Sequence, residues 1–228
     1  MTKWLEYAGK RIKLKAYDTN TEKNILLFSL TNENKSIDDI FEILEDNVVY
    51  EGKLTQDEKR LILLTLRKMS VDDIFNLIVK CTSCGRKFEA TVEFNDILVK
   101  GELKDYMGFK LIDNIGDFED CVVGDVDDLD TDDYDKLKDY VNKNRTRINI
   151  VDECKCPYCN EKNKVTLEDN EIINTLSEEN IENIYKTISY LVFFGKYSKS
   201  DIDKMLPFER NIYLGLLDKE LEKKNEQR

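Results

Sequence analysis

Cys81 and Cys84 are separated by two residues, and so are Cys156 and Cys159. That spacing lets one tight turn offer two sulfurs to a single ion, and thiolates hold zinc tetrahedrally. The residue after each pair suits such a turn. Gly85 takes a positive φ freely, and Asn160 tolerates one better than most residues. Cys81, Cys84, Cys156 and Cys159 are therefore the candidate ligands of a structural Zn2+. Four thiolates close the coordination shell and leave no position for water, so such a site is a scaffold and not a reaction centre. Seventy-one residues lie between Cys84 and Cys156, against roughly 15–20 in a common zinc ribbon. The intervening chain must loop out as its own substructure.

Other readings of the same residues compete. Cys154 precedes Cys156 in a C-K-C run and offers one more thiol. C-P-Y-C is also a dithiol motif of the glutaredoxin type. That chemistry needs its first cysteine at a helix N-terminus, whereas the following NEKNKVTLE has the look of a strand. Cys121 reads as a small core residue. Asp128 to Asp133 begins like a calcium loop, but Asp133 stands where glycine is required and Asp139 where glutamate is required. The ten carboxylates from Asp117 to Asp135 then read as a solvated face leading into a capped helix.

Composition removes most enzyme classes. The chain of 228 residues has no histidine, so His-based triads and the HExxH helix are absent. Its nine glycines form neither GxGxxG nor GxxxxGK[ST]. A net charge of −12 and a pI of about 4.7 disfavour nucleic acid and anionic membranes, both of which select Lys and Arg. Protein partners are the expectation. No segment reads as a leader or a membrane span, which implies a cytoplasmic setting with reduced thiols and favours metal over disulfide.

The elements that must position the cysteines follow from periodicity. Arg11 to Tyr17 alternates as a strand, and TEKNILLFSL from Thr21 reads as a short helix. Ser36 caps a helix carrying Ile37, Ile40, Phe41 and Leu44. Thr55 and Glu58 form a capping box before a helix whose wide apolar belt implies burial. Strands are predicted at 74–80 and 88–94 around the first thiol turn, and at 147–152 and 164–167 around the second. Ser177, with Glu179 and Asn180, opens a helix that Gly195 stops, Ser200 starts a short turn, and Pro207 leads the last helix. The predicted fold is α+β: a zinc-ribbon-like β module with a long acidic insertion, flanked by N-terminal and C-terminal helices. The predicted division is 1–70 (strand plus helices), 71–168 (β module, insertion at about 98–145) and 169–228 (helical).

The order of several motifs also matters. LTLRKMSVDDIFNLIVKCTSCGRKFEATVEFNDI, followed by GFKLIDNIGDF, resembles the T4-type bacteriophage baseplate protein family. The matching pieces are Arg67 to Val71, Cys81 with Cys84, Val92 to Ile97 and Leu111 to Gly116. Met205 to Tyr213 is similar to the family's C-terminal helix. The likeness runs from about Thr55 to the end. It departs where Met107 and Gly108 replace an expected histidine, and in the long acidic segment. The resemblance implies a baseplate hub subunit or a hub assembly chaperone, without catalytic residues, whose partners are other phage tail and baseplate proteins. It places the chain in the host cytoplasm during assembly, or in the virion tail. The helix from Phe208 to Leu221 is the expected docking element, through Phe208, Ile212 and Leu216, with ordinary core packing as the competing reading. A cellular zinc-ribbon adaptor, for example in transcription, and a thiol–disulfide enzyme are the other functional alternatives.

Overall fold

Strand β1 (Thr2–Tyr7) was not expected; its alternation is short and blurred by Lys3, which is exposed. It pairs antiparallel with β2 (Lys10–Lys15), from Thr2 opposite Lys15 to Tyr7 opposite Lys10. The structure, a computed structural model, describes all residues except 8, 33, 94–96, 128, 178 and 227–228, and the side chains of 225–226. Leu5, Tyr7, Ile12 and Leu14 turn into the core. Trp4, Arg11, Lys13 and Lys15 line the outer face, with the Arg11 guanidinium 4.0 Å over the Trp4 ring. The alternating cations of β2 thus share one exposed face with Trp4 and with Glu6, which pairs with Arg11 at 3.0 Å. Helix α1 (Thr19–Thr31) starts under an Asp18 cap, and α2 (Ile37–Ile43) under the Ser36–Asp39 capping box. Strand β3 (Val48–Val49) then closes the sheet in the order β1-β2-β3.

Helix α3 (Gln56–Ser70) is the centre of the main core. Leu61, Ile62, Leu63, Leu64 and Leu66 are all buried, as a helix apolar on nearly every side requires. Its cap also does tertiary work. Glu58 accepts from the Thr55 backbone N–H (2.8 Å), from the Tyr7 hydroxyl (3.1 Å) and from Lys10 Nζ (2.6 Å). Thr55 Oγ1 accepts from the Glu58 N–H and donates to the Ile115 carbonyl. Thr55→Ala removes both bonds and is expected to cost about 1–2 kcal/mol in urea unfolding; an unchanged midpoint would contradict the assignment.

Strands β4 (Ile74–Lys80) and β5 (Lys87–Glu93) form a hairpin in register from Ile74–Glu93 to Lys80–Lys87. Phe94, expected in β5, lies outside the described residues. Strand β6 (Leu98–Val99) leads into a segment that holds β7 (Lys110–Leu111), α4 (Phe118–Cys121), β8 (Val122–Val123) and α5 (Thr131–Asn144). This segment has its own small core of Leu111, Phe118, Cys121, Leu137 and Val141, and Cys121 is fully buried as expected. Strand β9 (Arg147–Ile148) returns to pair with β6. Gly101 permits that closure, because a Cβ there would lie 2.1 Å from the Asn144 carbonyl oxygen. Asp113 accepts from the Thr146 N–H and hydroxyl, both at 2.6 Å, and secures the same base.

The strand expected at 147–152 is two strands. Its first two residues serve β6. Its last two begin β10 (Val151–Lys155), which pairs with β11 (Lys162–Thr166), and Asn149 and Ile150 lie between the two strands. Helix α6 (Asp169–Thr175) follows and packs on α3 and α2. Of the three residues expected at the start of α7 (Ile181–Phe193), Asn180 is the cap, accepting from the Asn183 N–H. Nor is Gly195 the left-handed stop: Lys196 has φ 61, and Gly195 instead avoids a 2.7 Å approach of a Cβ to the Leu191 carbonyl. Ser198, not Ser200, caps α8 (Lys199–Lys204), and Pro207 opens α9 (Pro207–Glu226). Among the described residues no helix is long and apolar enough to cross a membrane. The architecture is mixed α/β with several small sheets.

Candidate metal centre

The two thiol turns repeat one backbone pattern. In the first, the Cys81 N–H donates to the Arg86 carbonyl (2.9 Å) and the Gly85 N–H to the Cys81 carbonyl (3.0 Å). In the second, the Cys156 N–H donates to Glu161 (2.9 Å) and the Asn160 N–H to Cys156 (2.9 Å). Gly85 and Asn160 occupy the left-handed region in equivalent places, with φ 71 and 60. Each turn joins the strands of a hairpin, β4–β5 in one case and β10–β11 in the other, and β5 lies against β10.

The hairpins meet at the turns. The Sγ atoms of Cys81, Cys84, Cys156 and Cys159 all lie within 4.8 Å of one another, with Cys81–Cys159 at 3.5 Å and Cys84–Cys156 at 3.7 Å. A disulfide needs about 2.05 Å, so the thiols are free. Sulfurs at 2.3 Å from a tetrahedral centre stand about 3.8 Å apart, and the observed spacing fits such a donor set. Cys81 and Cys156 are buried beside Phe88 and Ala90, whereas Cys84 and Cys159 face outward.

Protons are shared unevenly across the cluster. The Cys84 backbone N–H, helped by Ser83 N–H and neighbouring thiols against the cost of burial, pulls Cys81 down to about 6. For Cys159 the Glu161 backbone bond acts downward, but burial and the three other sulfurs together push it up to about 12. Four thiolates this close repel one another, and a divalent cation offsets that repulsion.

The remaining candidate residues lie elsewhere. Cys154 sits on β10 opposite Asn163, half-buried, and its thiol is pushed up by burial and by Asp152; it is outside the group of four. A turn and then a strand follow Cys156, not the helix that dithiol chemistry needs. In the calcium reading, Asp128 lies outside the described residues, and Asp130 serves as the α5 cap, accepting from the Asp133 N–H at 2.8 Å. Among the described residues, the cysteine group alone brings three or more potential metal-ligating side chains together. On α9, Phe208 is half-buried, and Ile212 and Leu216 are 56% and 55% exposed.

Two features around the thiols escaped sequence reasoning. Asn163 is buried and bonded to the first turn from the second hairpin. Its signal was present: it shares a strand face with Val165 and Leu167, a polar residue in apolar phase. The Arg86 guanidinium also lies 5.0 Å over the Tyr158 ring, joining the two turns from outside.

Residues 2–116, half of the chain, match the family model described as T4 bacteriophage base plate protein. Residues 175–222 match the model described as the baseplate hub assembly protein Gp51 C-terminal domain. No curated protein and no solved structure matches the chain. The first range begins far before Thr55, where the recognisable motifs start, and it contains Cys81 and Cys84. Cys156 and Cys159 fall outside both ranges. On the extent of the first match, and with the second following it in chain order, the chain belongs to the T4 bacteriophage base plate protein family.

Proposed function

We propose that this protein is a non-enzymatic component of the baseplate hub or a chaperone of hub assembly, stapled internally by one structural zinc. The single observation that carries the role is the presence of a base plate protein match and a hub assembly match on one chain. The convergence of four thiols supports the zinc, because a closed sulfur shell stabilises structure and offers no open position for catalysis. In this reading the β4–β5 and β10–β11 hairpins form a zinc-ribbon-like module over 71–168. The acidic segment of about 98–145 is inserted in it, with 1–70 and 169–228 as flanking units. Assembly takes place in the host cytoplasm, with other baseplate proteins as partners. The cellular adaptor reading gains no support from either family match.

Docking runs through α9. Phe208, Ile212 and Leu216 recur every four residues along one stripe, and the last two are open to solvent. The double substitution Ile212→Ser, Leu216→Ser is expected to change stability by no more than about 0.5 kcal/mol per site. It is also expected to abolish co-purification with baseplate proteins from infected cells. Undiminished co-purification would contradict docking through this stripe. Co-purification of the unaltered chain with RNA polymerase instead of baseplate proteins would overturn the functional assignment.

A further inference from the structure

We infer that Asn163 is the residue that welds the two thiol turns into a single metal site and orients the Cys81 sulfur toward the ion. The inference rests on the zinc reading above. Asn163 belongs to β11, the return strand of the second hairpin, yet three of its four side-chain bonds go to the first. Its Oδ1 accepts from the Thr82 backbone N–H at 2.8 Å and from the Thr82 hydroxyl at 3.1 Å. Its Nδ2 donates to the Glu161 carbonyl at 3.0 Å and to Cys81 Sγ at 3.8 Å. Both lone pairs of the oxygen and both N–H groups are thereby used, which fixes the orientation of the amide. The residue is 2% exposed, so solvent offers no replacement for any of these bonds.

Asparagine suits this place chemically. The oxygen end meets two donors, and the nitrogen end meets a carbonyl and a sulfur that must be anionic to bind metal. An N–H aimed at a thiolate sulfur stabilises its charge and sets its direction, the kind of outer support on which metal sites depend. Aspartate has the same shape and keeps the bonds to Thr82. It loses both donors and turns a carboxylate oxygen toward the Glu161 carbonyl and the Cys81 thiolate.

The test uses the full chain and its Asn163→Asp variant, each loaded with zinc or with cobalt(II). Chelator competition is expected to show zinc held about 10–100-fold more weakly in the variant. The sulfur-to-cobalt charge-transfer band is expected to move to lower energy, because the sulfur lone pairs lose a hydrogen bond. Global destabilisation alone would not move that band. If Asn163→Asp fails to fold, Asn163→Ser, which is too short to bridge the turns, is read in the same two ways. An unaltered chain that takes up neither metal overturns the zinc reading and this inference with it. An unaltered chain that binds metal, beside a variant with the same affinity and the same band, overturns the role of Asn163 alone.

Discussion

Stripping the metal with a strong chelator at neutral pH is expected to melt the two thiol hairpins. The loss should reach at least about 4 kcal/mol, the gain conferred by a ligand present at 1,000 times its dissociation constant. The reason is geometric. Without a cation, four sulfurs within 4.8 Å of one another must share protons or repel, and only non-covalent contacts such as those of Asn163 with Thr82 and of Arg86 with Tyr158 then oppose that repulsion across the 71-residue gap. Hydrogen exchange is the suitable measurement. Amides of β4, β5, β10 and β11 near the turns should lose protection first. Those of α3 should hold, because that helix lies at the centre of the main apolar core, which the hairpins join at their far ends through Phe75, Leu77, Val92 and Val165 and not at the thiol turns. Acidification should act like the chelator, since protons compete with metal for thiolates and retention falls as pH falls. Exchange unchanged by the chelator would contradict the prediction.

Replacing Arg210 with methionine is the second change expected to have a large effect, about 3–5 kcal/mol, because it leaves a buried carboxylate without its counter-charge. Arg210 and Glu22 are both almost fully buried and paired at 2.6 Å. Arg210 also reaches Glu179 at 3.4 Å and the Thr19 hydroxyl at 3.3 Å, while Ser177 donates to Glu22 at 2.7 Å. The pair therefore ties α9 to α1, joining the hub assembly segment to the base plate segment. Arg210→Met with Glu22→Met should recover much of the loss, since replacing both partners of a buried pair with apolar groups is often near neutral. Urea unfolding of the two single variants and the double variant measures this. A cost under about 1 kcal/mol for Arg210→Met would be far below that of breaking a buried ion pair.

Much of this molecule was legible because its signals are local. The Thr55–Glu58 box, the Ser36 cap and the apolar belt of α3 each lie within one or two helical turns, and each is present as expected. The thiol turns were legible for the same reason: Gly85 and Asn160 announce the backbone conformation that the turns adopt. The illegible parts depend on partners far along the chain. Arg210 and Glu22 are 188 positions apart, and their residue types are usually solvated. Asn163 and Thr82 are 81 apart. Strand β1 is recognisable only beside β2, which supplies its hydrogen bonds and the apolar contacts of Leu5 and Tyr7. The division of 147–155 between β9 and β10 depends on β6, about fifty residues earlier, and no periodicity within the segment encodes it. Gly195 misled because its usual role at helix ends is conformational, whereas here it makes room for the Leu191 carbonyl and the Tyr197 ring.

X-ray absorption at the zinc edge of the purified, unaltered chain addresses the metal centre most directly. One zinc per chain surrounded by four sulfur scatterers at about 2.3 Å is the predicted result. A chain isolated without metal, or a first shell containing oxygen or nitrogen, would contradict it.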